Sequence, residues 1–169
     1  NLLSQNSLRF VFQDKEKHLW VGSSGGGLMQ FQEPRFSSYG IERNLTEPRV
    51  KSLSADPDGN IFTATFGGGI QALIDNTFQS IPSDEEEGNF PQSILVDTEQ
   101  RIWAGTLEHG LFQKAKNSAT FAHQKNVIAM DIRSIFQDTS GAVWIGAKDI
   151  IHRISDNTWN TLTLPSDIE

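Results

Sequence analysis

Arg9, Lys51, Gln92 and Arg133 return at steps of about 41 residues. Each is the second residue of a short stretch rich in β-branched or aromatic side chains, the composition of a strand. Three are cations and one is an amide. Brought to one point, they would bind a small anion, such as a carboxylate or an acidic saccharide. Such a patch would stand out against a formal net charge of −7. The plainer reading is a solvated rim whose charges are paired with nearby carboxylates.

Other residue sets invite chemistry and mostly resolve into structure. Trp20, Phe62, Trp103 and Trp144 keep the same step and would suit sugar stacking, but such regularity points to a repeated core. The runs Gly25-Gly26-Gly27 and Gly67-Gly68-Gly69 resemble phosphate cradles, yet no helix start or lysine follows them, so they read as turns between strands. His18, His109, His123 and His152 form no metal-ligand pair, and surface or loop positions are expected. Asp84, Glu85, Glu86 and Glu87 read as a solvated acidic loop between Pro82 and Gly88 rather than a cation site. No nucleophile–base set is visible. The expectation is that this segment is no enzyme and holds no cofactor or metal.

The element that positions these residues is one unit repeated four times. An Asp precedes each aromatic by six residues: Asp14, Asp56, Asp97 and Asp138. Asp56-Pro57-Asp58-Gly59 and Asp138-Thr139-Ser140-Gly141 have turn chemistry in order. Lys17 and Gln100 stand at the Gly position of the other two units, where strain of order 1 kcal/mol or a different turn is expected. A second strand carries the aromatic, followed two places on by Gly22, Ala64, Gly105 or Gly146. A ring beside a vacancy suggests that each ring packs over the small residue of an adjacent sheet. Glycine turns lead to third strands at 28–31, 70–73 and 111–113. Unit four lacks that glycine. Phe36, Phe78, Phe121 and Trp159 mark weaker fourth strands. Four strands per repeat without helical periodicity describe an all-β propeller blade. The expected fold is an arc of four four-stranded antiparallel blades, at about 1–45, 46–86, 87–127 and 128–169 of one segment.

The segments IRSIFQDTSGAVWIGA and HLWVGSSGGGL resemble the two-component regulator propeller repeat. The resemblance covers nearly the whole chain, with departures at Phe62, Ala64, Lys17, Gln100 and Ile150. It implies the extracytoplasmic, ligand-sensing propeller of a membrane-anchored bacterial histidine kinase, hybrid regulator or diguanylate cyclase. Binding and scaffolding would lie here, with output in another domain. NIFTAT is similar to streptogramin-lyase propellers, so a lyase or glycosidase propeller stands as an alternative, and a protein-interaction scaffold as another.

The bulk numbers narrow the partners. The 169 residues, 37% hydrophobic and 21% charged, suit a folded domain. The acidic balance argues against nucleic acid. No Cys is present, which excludes disulfides and thiolate metal sites. No run approaches the roughly 18 apolar residues of a membrane span, and the opening NLLSQNSLRF has no leader pattern. Asn1-Leu2-Leu3-Ser4 reads as the run-in from a preceding blade, and Pro165 to Glu169 follow the last strand. Four blades form an uncommon ring. The arc is expected to belong to a larger propeller, or to close by pairing two copies. Open faces lined by residues such as Trp20 and Trp144 would drive that association.

Overall fold

A computed structural model describes residues 7–32, 35–84, 90–125, 127 and 130–163. The Asn1 run-in, the acidic residues 85–87 and the stretch from Pro165 lie outside them, as does the side chain of Phe36. The chain forms four antiparallel sheets of four strands each, joined in sequence order. Sheet one holds β1 (Leu8–Gln13), β2 (Leu19–Ser23), β3 (Leu28–Gln32) and β4 (Arg35–Tyr39). Sheet two holds β5 (Val50–Ala55), β6 (Ile61–Thr65), β7 (Gly69–Ile74) and β8 (Thr77–Ile81). Sheet three holds β9 (Pro91–Val96), β10 (Ile102–Thr106), β11 (Leu111–Lys114) and β12 (Ala122–His123). Sheet four holds β13 (Ser134–Gln137), β14 (Val143–Gly146), β15 (Ile150–Ser155) and β16 (Thr158–Thr163). A single 3-10 turn, Ile41–Arg43, is the helical element among the described residues.

The Asp turn is the same in all four sheets. The Asp carbonyl accepts from Lys17 (3.0 Å), Gly59 (3.0 Å), Gln100 (2.9 Å) and Gly141 (2.9 Å). All four of these residues are left-handed, with φ of 69°, 90°, 61° and 87°. Lys17 and Gln100 therefore adopt the glycine turn rather than a different one, and carry its strain. The Asp side chain ties the turn to the second strand. Oδ1 accepts the backbone N–H four residues on: His18 (2.8 Å), Asn60 (2.9 Å), Arg101 (2.9 Å) and Ala142 (3.0 Å). Oδ2 accepts the indole N–H of Trp20 (2.8 Å), Trp103 (2.8 Å) or Trp144 (2.7 Å).

That clasp aims Trp20 and Trp103 at the next sheet. Three cores result, one in each gap between successive sheets. Trp20, Leu28 and Tyr39 meet Val50, Leu53 and Ile61. Phe62, Ala64 and Ile70 meet Ile94, Val96 and Ile102. Trp103 and Leu111 meet Val143, Ile145 and Ile154. Polar bonds cross the same gaps: Ser54 Oγ accepts from the Val96 N–H at 2.9 Å, and Gln137 Oε1 from the Thr98 N–H at 2.9 Å.

Three expectations need correction. The rings do not simply sit over the small residue of an adjacent sheet. A side chain at Gly22 would collide with Phe10 of its own sheet, while one at Gly105 would meet Ser93 and Ile132. Trp20 does not line an open face, because sheet two covers it to 4% exposure. Sheet four has no following sheet here, so Trp144 is half-buried and Phe136 beside it is 63% exposed. His152 is a core residue rather than a surface one. It is 5% exposed, with Nδ1 2.9 Å from Thr161 Oγ1 and, among the described residues, no partner for Nε2.

These contacts rank substitutions. Trp103→Ala should cost about 3–5 kcal/mol in denaturant unfolding, and Trp144→Ala less, because part of its ring stays exposed. Gln100→Gly should gain up to about 1 kcal/mol by relieving the left-handed strain. Acid should unfold the chain in two ranges. Burial pushes the His152 pKa down, so its stability contribution is present above the ordinary value of 6.5 and is lost as pH falls below it. Ser140 first, then the Trp144 indole, hold Asp138 down to about 2. Its contribution is present above the ordinary 3.8 and disappears between there and about 2. Thermal melts against pH should show both ranges, and His152→Phe should remove the upper one.

Candidate functional site

The first strand of each sheet is its innermost one. β5 runs beside β1 on one side and β9 on the other, and β13 lies beside β9. Residues at the start of these strands therefore face a common inner mouth. Arg9, Lys51 and Gln92 are each the extra residue of a β-bulge. Leu8 pairs with Ser23 and Phe10 with Gly22, so Arg9 has no opposite number. Lys51 falls likewise between the Val50–Thr65 and Ser52–Ala64 pairs, and Gln92 between Pro91–Thr106 and Ser93–Gly105. Arg133 precedes the Ser134–Gly146 pair and donates its N–H to the Gly146 carbonyl at 3.3 Å. A bulge turns its extra side chain away from the normal in–out alternation. The repeat thus re-aims the same position in three sheets.

Charge gathers at this mouth. Burial first, then Arg9, Arg49 and Arg133, push the Lys51 pKa below the usual lysine value. Cations from sheets one, two and four are therefore within electrostatic reach of one ammonium group. Arg9, Ser24, Arg49, Lys51 and Phe66 line a cavity of about 230 Å³. The Phe66 ring floors it: Lys51 Nζ lies 4.9 Å and the Arg49 guanidinium 4.6 Å from its centroid. Such stacking holds a cation without neutralising it.

The cations differ in how they are compensated. Arg133 donates Nε to Asp131 Oδ1 at 2.5 Å, and Arg49 forks onto Glu47 at 2.8 and 3.1 Å. These bonds raise both guanidinium pKa values. For those two residues, the plain reading of paired rim charges describes the geometry. Arg9 donates to Ser24 Oγ at 3.4 Å. Among the described residues, neither Arg9 nor Lys51 has a carboxylate partner. Gln92 and Arg133 do not line the cavity. Gln92 is half-buried at the matching bulge and adds no charge. Arg49 was not singled out by the repeat, since it lies outside the strand stretch; its signal was its place two residues before Lys51.

The remaining candidates read as structure. The triple-glycine runs are turns between second and third strands, with φ of 113° at Gly25 and 83° at Gly67. Asp14, Glu16 and His18 bring one ligand atom each within 4.8 Å of one another. Asp14 is already bonded to Trp20 and His18, and those bonds outweigh burial to hold its pKa low.

No protein-family model matches the chain, and no curated protein matches it. Solved structures do. The extracellular domain of the putative hybrid two-component system BT4673 from B. thetaiotaomicron superposes with a TM-score of 0.79 at 19% identity, over 97% of this chain and 25% of that one. Virginiamycin B lyase from Staphylococcus aureus gives 0.74 at 12%, over 95% of this chain and 56% of the lyase. A Niastella koreensis GH74 enzyme gives 0.71 at 17%, over 94% and 30%. The fold is a β-propeller arc, and the chain spans about a quarter of that extracellular domain's length. Extracellular domains of two-component systems are thus among its structural neighbours, beside enzymes. No helix among the described residues is long and apolar enough to cross a membrane.

If the mouth is one electrostatic unit, removing one cation should be felt by another. Arg9→Ala should move the Lys51 pKa up toward the ordinary lysine value of 10.5, read by NMR of labelled lysine. An unchanged Lys51 titration would show the two sheets to be uncoupled.

Proposed function

We propose that the chain is a ligand-recognition segment of the extracytoplasmic propeller of a bacterial membrane-anchored signalling protein, binding and scaffolding rather than catalysing. The observation that carries the binding part is the inner mouth. Two uncompensated cations, Arg9 and Lys51, flank a small cavity with an aromatic floor, in a chain of net charge −7. An anionic small molecule with a ring to lie on Phe66, such as an acidic saccharide, matches that lining. The likeness to extracellular domains of two-component systems supports the cellular setting. The lyase and glycosidase likenesses are of the same low identity and bring the fold without the chemistry. The exposed Phe136 and Leu162 on sheet four are read as a joint to neighbouring blades, of the same chain or of a second copy.

Calorimetry with digalacturonate, and with cellobiose as a neutral control, tests the binding part. The acidic sugar alone should bind, weakening as salt is added. Lys51→Met should lower its affinity about tenfold, with a smaller loss in Arg133→Ala. Equal binding of both sugars, or full affinity in Lys51→Met, would overturn the proposal.

A further inference from the structure

We propose that the gap between sheets two and three is a second binding site, for a planar aromatic ring that carries an N–H or O–H donor and an anionic group. It opens at the far end of β5 from Lys51, as a cleft of about 290 Å³. It stands on observations separate from the basic mouth.

Sheet two is hollowed at two adjacent positions of one face. Where the other three sheets carry Trp20, Trp103 and Trp144, sheet two carries Phe62. The residue directly opposite across the strand pair is Gln30, Gln113 or Arg153 in those sheets and Ala72 in sheet two. Phe62 and Ala72 both line the cleft. Trp20 also has Tyr39 against it at 5.4 Å, and Trp103 has Trp159 at 6.3 Å and the Arg101 guanidinium at 5.3 Å. The corresponding edge of sheet two offers Ile81, also in the cleft wall. The space filled elsewhere by an indole and its stacking partner is here a narrow cleft, with Phe62 9% and Ala72 4% exposed at its apolar floor.

The hydrogen-bonding pattern shows what that space lacks. In sheets one and three, Asp Oδ2 has two partners: the indole N–H and a side chain four residues on, His18 (3.1 Å) or Arg101 (2.6 Å). In sheet two, Asn60 takes the second role, donating Nδ2 to Asp56 Oδ2 at 2.7 Å. Among the described residues the first role is not filled, because a phenyl ring has no donor. Asp56 lines the cleft. A guest ring lying on Phe62 with an N–H or O–H toward Asp56 would restore the bond that the repeat makes elsewhere. Across the gap, Lys114 at the end of β11 and Lys116 in the turn after it stand at the cleft. They supply the charge for an anionic group on the same guest.

Indole-3-acetate is the probe, with neutral indole beside it. NMR titration of the chain should show saturable binding, with shifts at the amides of 56–62 and 112–116. Phe62→Trp supplies the missing ring from within: it should weaken the probe by about tenfold or more and raise the melting temperature. Ala72→Gln should weaken the probe similarly. Changing Lys114 and Lys116 together to Ala should weaken indole-3-acetate and leave indole unaffected, and Lys51→Ala should affect neither. No saturable binding, or full affinity in both Phe62→Trp and Ala72→Gln, overturns the site. Full affinity for the acetate in the double lysine variant overturns its anionic half.

Discussion

The bond from an indole N–H to the carboxylate six residues before it is the constraint on which the rest of the arrangement depends. One Asp side chain closes the turn through Oδ1 and holds the ring through Oδ2. Charge-assisted bonds of this kind are worth about 1.5–3 kcal/mol each, and losing one partner exposes the full cost of the other's burial. The clasp fixes the ring's direction, and the ring fills the gap to the following sheet. A sheet of four short strands cannot bury both faces alone. Sheet-to-sheet packing through Trp20, Phe62 and Trp103 gives the arc its stability, and the strained turns at Lys17 and Gln100 persist because that packing over-determines them.

Rigidity at the turns leaves the opposite ends of the inner strands available for binding. Each bulge lies there, away from the clasp, so the core can hold its pattern while the residue at the bulge varies among Arg, Lys and Gln. The variation matters electrostatically. A further cation at position 92 would deepen the repulsion already felt by Lys51, whereas Gln92 adds no charge. The same logic explains the cleft beside Phe62. A repeat that relaxes one core position at a time trades packing for a cavity, and the surrounding clasps keep that cavity from collapsing.

Much of this was legible in the sequence because its signals are local. The Asp-x-x-Gly turn, the β-branched and aromatic composition of the strands and the glycine turns each follow from a few adjacent residues. The period then multiplied each signal by four. What escaped depends on register or on neighbours in space. The bulges at Arg9 and Lys51 exist only relative to a partner strand. Arg49 belongs to the mouth through folding, not through the repeat. The burial of His152 follows from its pairing with Thr161 and Ile145 in sheet four, and the partial exposure of Trp144 from the absence of a following sheet among the described residues. Phe62 stood out in the sequence as a departure, but Ala72 gained meaning only when pairing placed it opposite.

This acidic molecule concentrates positive potential at one inner mouth, on Arg9 and Lys51 at their bulges with Arg49 and Arg133 beside them. An anionic paramagnetic probe, added at low salt while backbone amide relaxation is followed by NMR, reads that potential directly. The strongest relaxation enhancement is expected at the amides around 9, 49–51 and 133, fading as salt screens the field. Enhancement spread evenly over the surface, or centred away from these residues, would contradict it.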